Sequence, residues 1–247
     1  MPIIFSNTTD GFVSKFTFGG PTFSSVRDAT SGNFTSATAT NYGFAPRFAA
    51  MTSRGGFYDV RRAFFAFDTS GITSSVASAT INIYGVSSGT LDIIGVKATR
   101  PDLVNPIVNA DFDAISGFVA GSSMSGNVTD YTAEITSWST SGYNSITLNA
   151  AALSDLQNLN VFAICFVGHD NDYLNVDPGY SANIQQNTGM TYADSTNASQ
   201  RPFIDFTLGT AGAAEVAKVD GVAEQNILKV IGVANANIAK INGVDMP

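Results

Sequence analysis

The sequence predicts an all-β protein: a jelly-roll type β-sandwich over residues 1–209, followed by a short C-terminal β-repeat segment over residues 210–247. Three observations point there. The chain holds 25 Ser, 24 Thr, 23 Gly and 18 Phe, which suits short strands joined by polar turns. Charged residues make up 13%, about half the usual share, so the Glu and Lys of helical bundles are missing. Apolar residues recur with a period of two or in short continuous runs, the two signatures of strands.

Each element follows from one of these patterns. Phe12, Ser14, Phe16 and Phe18 alternate with Val13, Lys15 and Thr17, as a half-buried strand requires. Ala79, Ile81 and Ile83 alternate with Thr80, Asn82 and Tyr84 in the same way. Ala63–Phe67 and Val161–Val167 are unbroken apolar runs, too short for core helices, and read as central strands buried on both faces. Leu91–Val96, Ser145–Leu148 and Phe203–Phe206 add further strands. Turn signals separate them, among them Gly19-Gly20-Pro21, Gly55-Gly56 and Asp177-Pro178-Gly179. One short helix is expected over Ala150–Leu159, capped by Asn149, with Leu153, Leu156 and Leu159 on its apolar stripe. A second helical turn is expected within Asp111–Val119.

Charge and cysteine content exclude several function classes. Twenty acidic residues against twelve basic ones give a net charge of −8, which argues against nucleic acid as a partner. No apolar run approaches the roughly 18 residues of a membrane span, and membrane insertion is not expected. The single cysteine, Cys165, lies inside an apolar run and reads as a small buried hydrophobe. The Met1–Phe5 start lacks a basic segment and a long apolar one, so folding in the cytoplasm is expected. No pair of carboxylates and no nucleophile with a base stands out, so no catalytic residue is nominated and no enzymatic activity or obligatory cofactor is expected.

The tail carries the clearest pattern. Composition changes at about residue 209, after which Ser and aromatic residues cease. An eleven-residue unit then runs three times: Val216, Lys218, Val219, Gly221 and Val222; Ile227, Lys229, Val230, Gly232 and Val233; Ile238, Lys240, Ile241, Gly243 and Val244. A Gly in every unit, beside β-branched residues, opposes a helical coil and favours short strands that turn at the Gly. Three such rungs are too small to enclose a core, so the tail is expected to assemble with other copies, as a homotrimer, or with a partner surface.

Two segments carry a resemblance. Arg62–Ile72 with Val76–Tyr84 has an Arg, a buried strand ending in Phe-Asp, a short loop and a Ser-Ala leading the next strand. Gly189–Asp194 with Arg201–Phe206 has the form of closing strands, and Gly168–Asn175 lies between. Together they resemble the disaggregatase-related jelly-roll family, similar to carbohydrate-binding modules, in the variants found in tailed-phage virion proteins. The tail unit resembles the Ile-x-Lys-Val-x-Gly-Val segments at the ends of phage structural proteins. The resemblance implies a non-enzymatic virion protein, as a capsid decoration, head fibre or tail component, whose partners are its own copies and other virion proteins. The alternative it leaves open is a carbohydrate-binding module that recognises host surface glycans.

Individual residues have plainer and sharper readings. Asp68 is expected to cap its turn through backbone N–H groups. The loop around Asp170, Asp172 and Asp177 is read first as a solvated loop held by Asx turns, and second as a calcium site, because calcium takes clustered hard oxygens. Trp138, Tyr173 and Tyr180, with Tyr131 and Tyr143, are read first as packing residues and second as rings on which a sugar stacks.

Overall fold

The computed structural model describes residues 2–42 and 44–209, and in the tail the strand pairs 218–219 with 222–223 and 240–241 with 244–245. The body is all-β and sandwich-like. Every described strand pairing is antiparallel, and twelve body strands join into one continuous sheet.

The two apolar runs lie at its centre, as their burial on both faces demands. Strand β6 (Phe57–Asp68) carries β2 (Gly11–Phe18) along one side. Its other side is shared by β5 (Arg47–Met51), paired from Phe57 to Arg61, and β10 (Val161–Gly168), paired from Ala63 to Asp68. Beyond β10 lies β8 (Ile93–Lys97), and β3 (Phe34–Ser36) flanks β2. The other part of the sheet runs from β1 (Ile3–Phe5) through β12 (Phe203–Leu208) and β7 (Val76–Gly89) to β9 (Tyr143–Thr147).

Strand β11 (Ile184–Thr191) joins the two parts. It pairs with β5 up to Asn187, shifts register between Thr188 and Gly189, and then pairs with β7. A bulge of this kind bends a strand from one sheet toward another. A two-residue strand, β4 (Asn41–Tyr42), pairs with its far end.

Both parts feed one buried apolar cluster. Phe65 stacks on Tyr192 at 5.3 Å, and Tyr131 stacks on Phe162 at 4.8 Å. Helix α2 (Ala150–Asn158) packs against β7 and β10 with Ala152 and Leu156 buried. The Asn149 side chain accepts the Ala152 N–H at 3.1 Å, which is the expected cap. Asn149→Ala should therefore cost about 1 kcal/mol in denaturant unfolding. Helix α1 (Phe23–Arg27) is a single short turn that sequence periodicity does not reveal. Instead of a helical turn within Asp111–Val119, a 3-10 turn occupies Asn109–Asp111, where Asp111 accepts the Val108 N–H at 2.9 Å. None of the described helices is long and apolar enough to cross a membrane.

Polar groups are also built into the core. Arg62 and Arg27 are fully buried. Arg62 donates through Nε and Nη2 to the two carboxylate oxygens of Asp172, at 2.9 and 2.8 Å, and through Nη1 and Nη2 to the carbonyls of Phe112 and Arg27. Its guanidinium lies 4.2 Å from the Phe112 ring centre and 4.9 Å from that of Phe118. Arg27 donates to the Asp172 carbonyl and to the Asp28 carboxylate. This cluster ties α1, β6 and the turn at His169–Tyr173 together, since Arg27, Arg62 and Asp172 are buried and must be satisfied by one another.

Candidate functional site

The structure sends the three carboxylates of the loop to different partners. Asp172 is buried and its oxygens are taken by Arg62. Asp177 accepts from the Tyr58 hydroxyl and from the Gly179 N–H. Asp170 is exposed and contacts His169 Nδ1 at 3.0 Å. The calcium reading of Asp170, Asp172 and Asp177 is therefore corrected: the carboxylates do not converge, because one is consumed inside the core as a counter-ion. What does gather there is Glu134, His169 and Asp170, with Glu134 Oε1 and Asp170 Oδ1 both near His169 Nδ1. Two carboxylates competing for one ring nitrogen is an ordinary surface hydrogen-bond arrangement.

The aromatic residues are dispersed too. Trp138 is half-buried, its indole N–H donates to the Gly189 carbonyl at 3.1 Å, and it fills space above Gly85 and Gly89. A Cβ on Gly85 would stand 1.9 Å from the Ser139 carbonyl oxygen and 2.5 Å from the indole Nε1, so that position stays bare to admit the Trp138–Ser139 segment. Tyr173 is buried, stacked on His169, with its hydroxyl on Asp130. Tyr180 leans on Tyr58 at 4.7 Å, beside Gly56. These three rings have no neighbour in common, and they do not form a shared sugar platform. Tyr131 is buried, and its hydroxyl donates to Asp155. Asp68 does cap its turn: Ser70 donates to it through its N–H at 3.0 Å and its hydroxyl at 2.6 Å. Cys165 is fully buried, and burial pushes its thiol up well above the ordinary value.

Two features that sequence reading missed are assembled across strands. On the outer face of the β1–β12–β7–β9 part, Phe5, Phe203, Tyr143 and Tyr84 follow one another at 6.0, 5.2 and 5.4 Å. On the solvent side of β2, β6, β5 and β11 lies a concavity of about 380 Å³. Register explains its lining. Asp59 and Arg61 of β6 stand opposite Phe16 and Ser14 of β2 on one side, and opposite Ala49 and Arg47 of β5 on the other. Gln185 of β11 is the next neighbour across from Ala49.

Asp59 is the hub of this concavity. Arg61 donates to it through Nε and Nη2, and Ser14 through its hydroxyl. Arg47 Nε lies 2.9 Å from its Oδ2 without the alignment of a hydrogen bond. One carboxylate thus serves two guanidiniums, and a third, Arg54, sits over the Phe18 ring at 4.8 Å. Burial pushes the Arg47 guanidinium below its ordinary value, with the neighbouring Arg61 charge adding to the effect. Phe18 and Phe57 pack at 5.2 Å and form an apolar wall. The local signal was the alternation Phe57-x-Asp59-x-Arg61, which puts two charges on a strand face whose other residues, Phe57, Ala63, Phe65 and Phe67, are apolar.

The tail presents two hairpins. Lys218 and Val219 pair with Ala223 and Val222, and Lys240 and Ile241 pair with Asp245 and Val244. Each register spans two residues, Asp220-Gly221 and Asn242-Gly243 by sequence, which are the dipeptides favoured by tight hairpin turns. The remaining tail positions of the repeat, Val216, Gly221, Ile227, Lys229, Val230, Gly232, Val233, Ile238 and Gly243, lie outside the described residues.

No protein-family model matches this chain, and no curated protein sequence matches it.

Proposed function

We propose that this chain is a non-enzymatic structural protein of a tailed-phage virion, which assembles through its C-terminal repeat and displays the β-sandwich body on the particle. The observation that carries the reading is the pair of tail hairpins. Each has two residues per strand, and a lone two-stranded hairpin is marginal in water even when longer. By sequence, Val and Ile recur at fixed positions of the repeat, too few to enclose a core of their own. Copies of the same repeat, brought together about a symmetry axis, supply the missing neighbours without any new sequence. A self-contained body above the assembly segment is then held at the surface of the particle, where several copies act together. The body needs no partner to close its own core, which already unites both parts of the sheet.

Deletion of residues 210–247 tests the proposal. The shortened chain is expected to remain folded, with an unchanged far-ultraviolet spectrum, and to sediment as a monomer where the full chain does not. Equal oligomeric states for the two chains would remove the basis for assigning assembly to the repeat.

A further inference from the structure

We infer that the open edge of β9 is completed by the middle unit of the tail repeat, residues 227–233, which adds to it as one further antiparallel strand of the same chain. The two tail hairpins on either side of that unit stay available to other copies, so the inference is independent of the assembly reading.

Among the described strands, β9 pairs with β7 alone. The phase of that ladder is fixed at its two ends. The Leu148 N–H donates to the Ala79 carbonyl at 3.0 Å, and the Gly85 N–H donates to the Gly142 carbonyl at 2.9 Å. Hydrogen-bonded pairs alternate along an antiparallel ladder. Asn144 and Ile146 therefore turn their main-chain groups toward β7, while Tyr143, Ser145 and Thr147 turn theirs away, with no hydrogen bond to any described residue. Native sheets protect such an edge with a charge, a proline or a bulge. Tyr143-Asn144-Ser145-Ile146-Thr147 carries neither charge nor proline, and its register with β7 is unbroken. An edge of this kind calls for a covering strand.

A groove of about 630 Å³ lies along this edge, between β9 and the segment 133–139 that leads into it. The far wall is tied elsewhere. Ile135 exchanges both main-chain hydrogen bonds with Ile93 of β8, at 3.1 and 2.8 Å, and Trp138 donates to the Gly189 carbonyl. An extended peptide in the groove meets main-chain donors and acceptors on β9 and the half-buried side chains of Ile135 and Trp138 opposite, which is how a strand is added to a sheet edge.

Chain direction selects the occupant. Both β12 and β9 are antiparallel to β7, so they run parallel to each other. Leu208 stands across from Val76, and Thr147 across from Thr80, so residues 210–247 follow from the end of the sheet at which β9 also ends. A strand antiparallel to β9 has to enter from that end. The crossing from β12 past β7 and β9 covers three strand spacings, about 14 Å. Residues 210–217 alone can extend about 27 Å. Of the three units, the first and third pair into hairpins across Asp220-Gly221 and Asn242-Gly243. The middle unit has Ile231-Gly232 at that place, and a β-branched residue resists the positive φ that a two-residue hairpin turn requires. Ile227-Leu228-Lys229-Val230-Ile231-Gly232-Val233 is thus suited by sequence to run on as a single strand.

Residue-resolved hydrogen exchange tests this in the full chain and in the variants Lys229→Pro and Val230→Pro. Neighbouring residues of a strand face opposite edges, so one of the two prolines removes a donor to β9 whatever the register. In that variant the Tyr143, Ser145 and Thr147 amides should exchange about tenfold faster or more than in the unaltered chain. The Asn144 and Ile146 amides are held by β7 in every chain and serve as the internal control. Disulfide trapping then identifies the strand. Ser145→Cys is combined in turn with Leu228→Cys, Lys229→Cys, Val230→Cys and Ile231→Cys, because facing residues of paired strands lie within disulfide reach. Cys165 is fully buried and takes no part. At least one combination should close a bond within a single chain, seen as linked peptides at the mass of one chain. Equal exchange of the three amides in all chains would overturn the inference. So would the absence of any Ser145→Cys link, or links formed only between chains, which would give the edge to another copy. A trimer with fast Tyr143, Ser145 and Thr147 amides would keep the assembly reading and remove this one; protected amides in a monomer would do the reverse.

Discussion

Asp172→Ala should lower the stability of the body by about 3–5 kcal/mol, the penalty for leaving a buried cation without its counter-ion. Both of its oxygens hold Arg62, and neither Arg62 nor Arg27 has any exposure to water. The Phe112 and Phe118 rings beside Arg62 soften the loss through cation–π attraction but cannot replace a carboxylate. For a domain of this size the melting temperature should fall by roughly 6–20 °C. Urea unfolding of Asp172→Ala, Arg62→Met and the double variant gives the coupling directly. The double variant should be much less destabilised than the sum of the single ones. Additive losses would mean that the two side chains act separately. The same series distinguishes the ion pair from a calcium site: the difference between Asp172→Ala and the parent chain should be the same in calcium and in chelator.

The second large effect is pH dependence from Asp10. This carboxyl lies in the loop between β1 and β2 and is fully buried. Ser6 donates to it at 2.7 Å and the Ala193 N–H at 3.0 Å. Burial, with a smaller contribution from the Asp194 charge, pushes its pKa up to about 8 against the two hydrogen bonds, from an ordinary value of 3.8. The folded chain therefore keeps this proton across a range where the unfolded chain has lost it. Its contribution to stability is complete below about pH 4 and declines as the pH rises toward 8, by up to about 1.4 kcal/mol per pH unit. Asp10→Asn keeps a carbonyl oxygen to accept from Ala193 and Ser6, and carries no proton to lose. Denaturation midpoints of the two chains at pH 5 and pH 8 should diverge, with the parent chain falling and Asp10→Asn falling less. Parallel curves would place the pH dependence elsewhere.

The fold was legible in the sequence wherever burial is two-sided or strictly alternating. Ala63–Phe67 and Val161–Val167 read as central strands because nothing polar interrupts them, and they pair with each other at the middle of the sheet. The α2 helix was legible because Asn149 precedes a leucine stripe. The first part of strand β11 was not, since Ile184-Gln185-Gln186-Asn187-Thr188-Gly189 neither alternates nor forms an apolar run. It changes neighbours at Thr188–Gly189, and a strand that serves two partners has no single face to pattern. The same logic explains the sites. Asp170, Asp172 and Asp177 look like one cluster in a linear reading, but only the fold shows that Asp172 turns inward to an arginine 110 positions away. The concavity was invisible because Arg47, Asp59 and Gln185 come from three strands and meet only through register.

The central claim is that the repeat is completed by other copies of the chain. Light scattering of the intact protein after size separation, followed over a dilution series, tests it most directly. A single species at three times the 25.8 kDa chain mass is the predicted result. A particle of one chain mass at every concentration would contradict it.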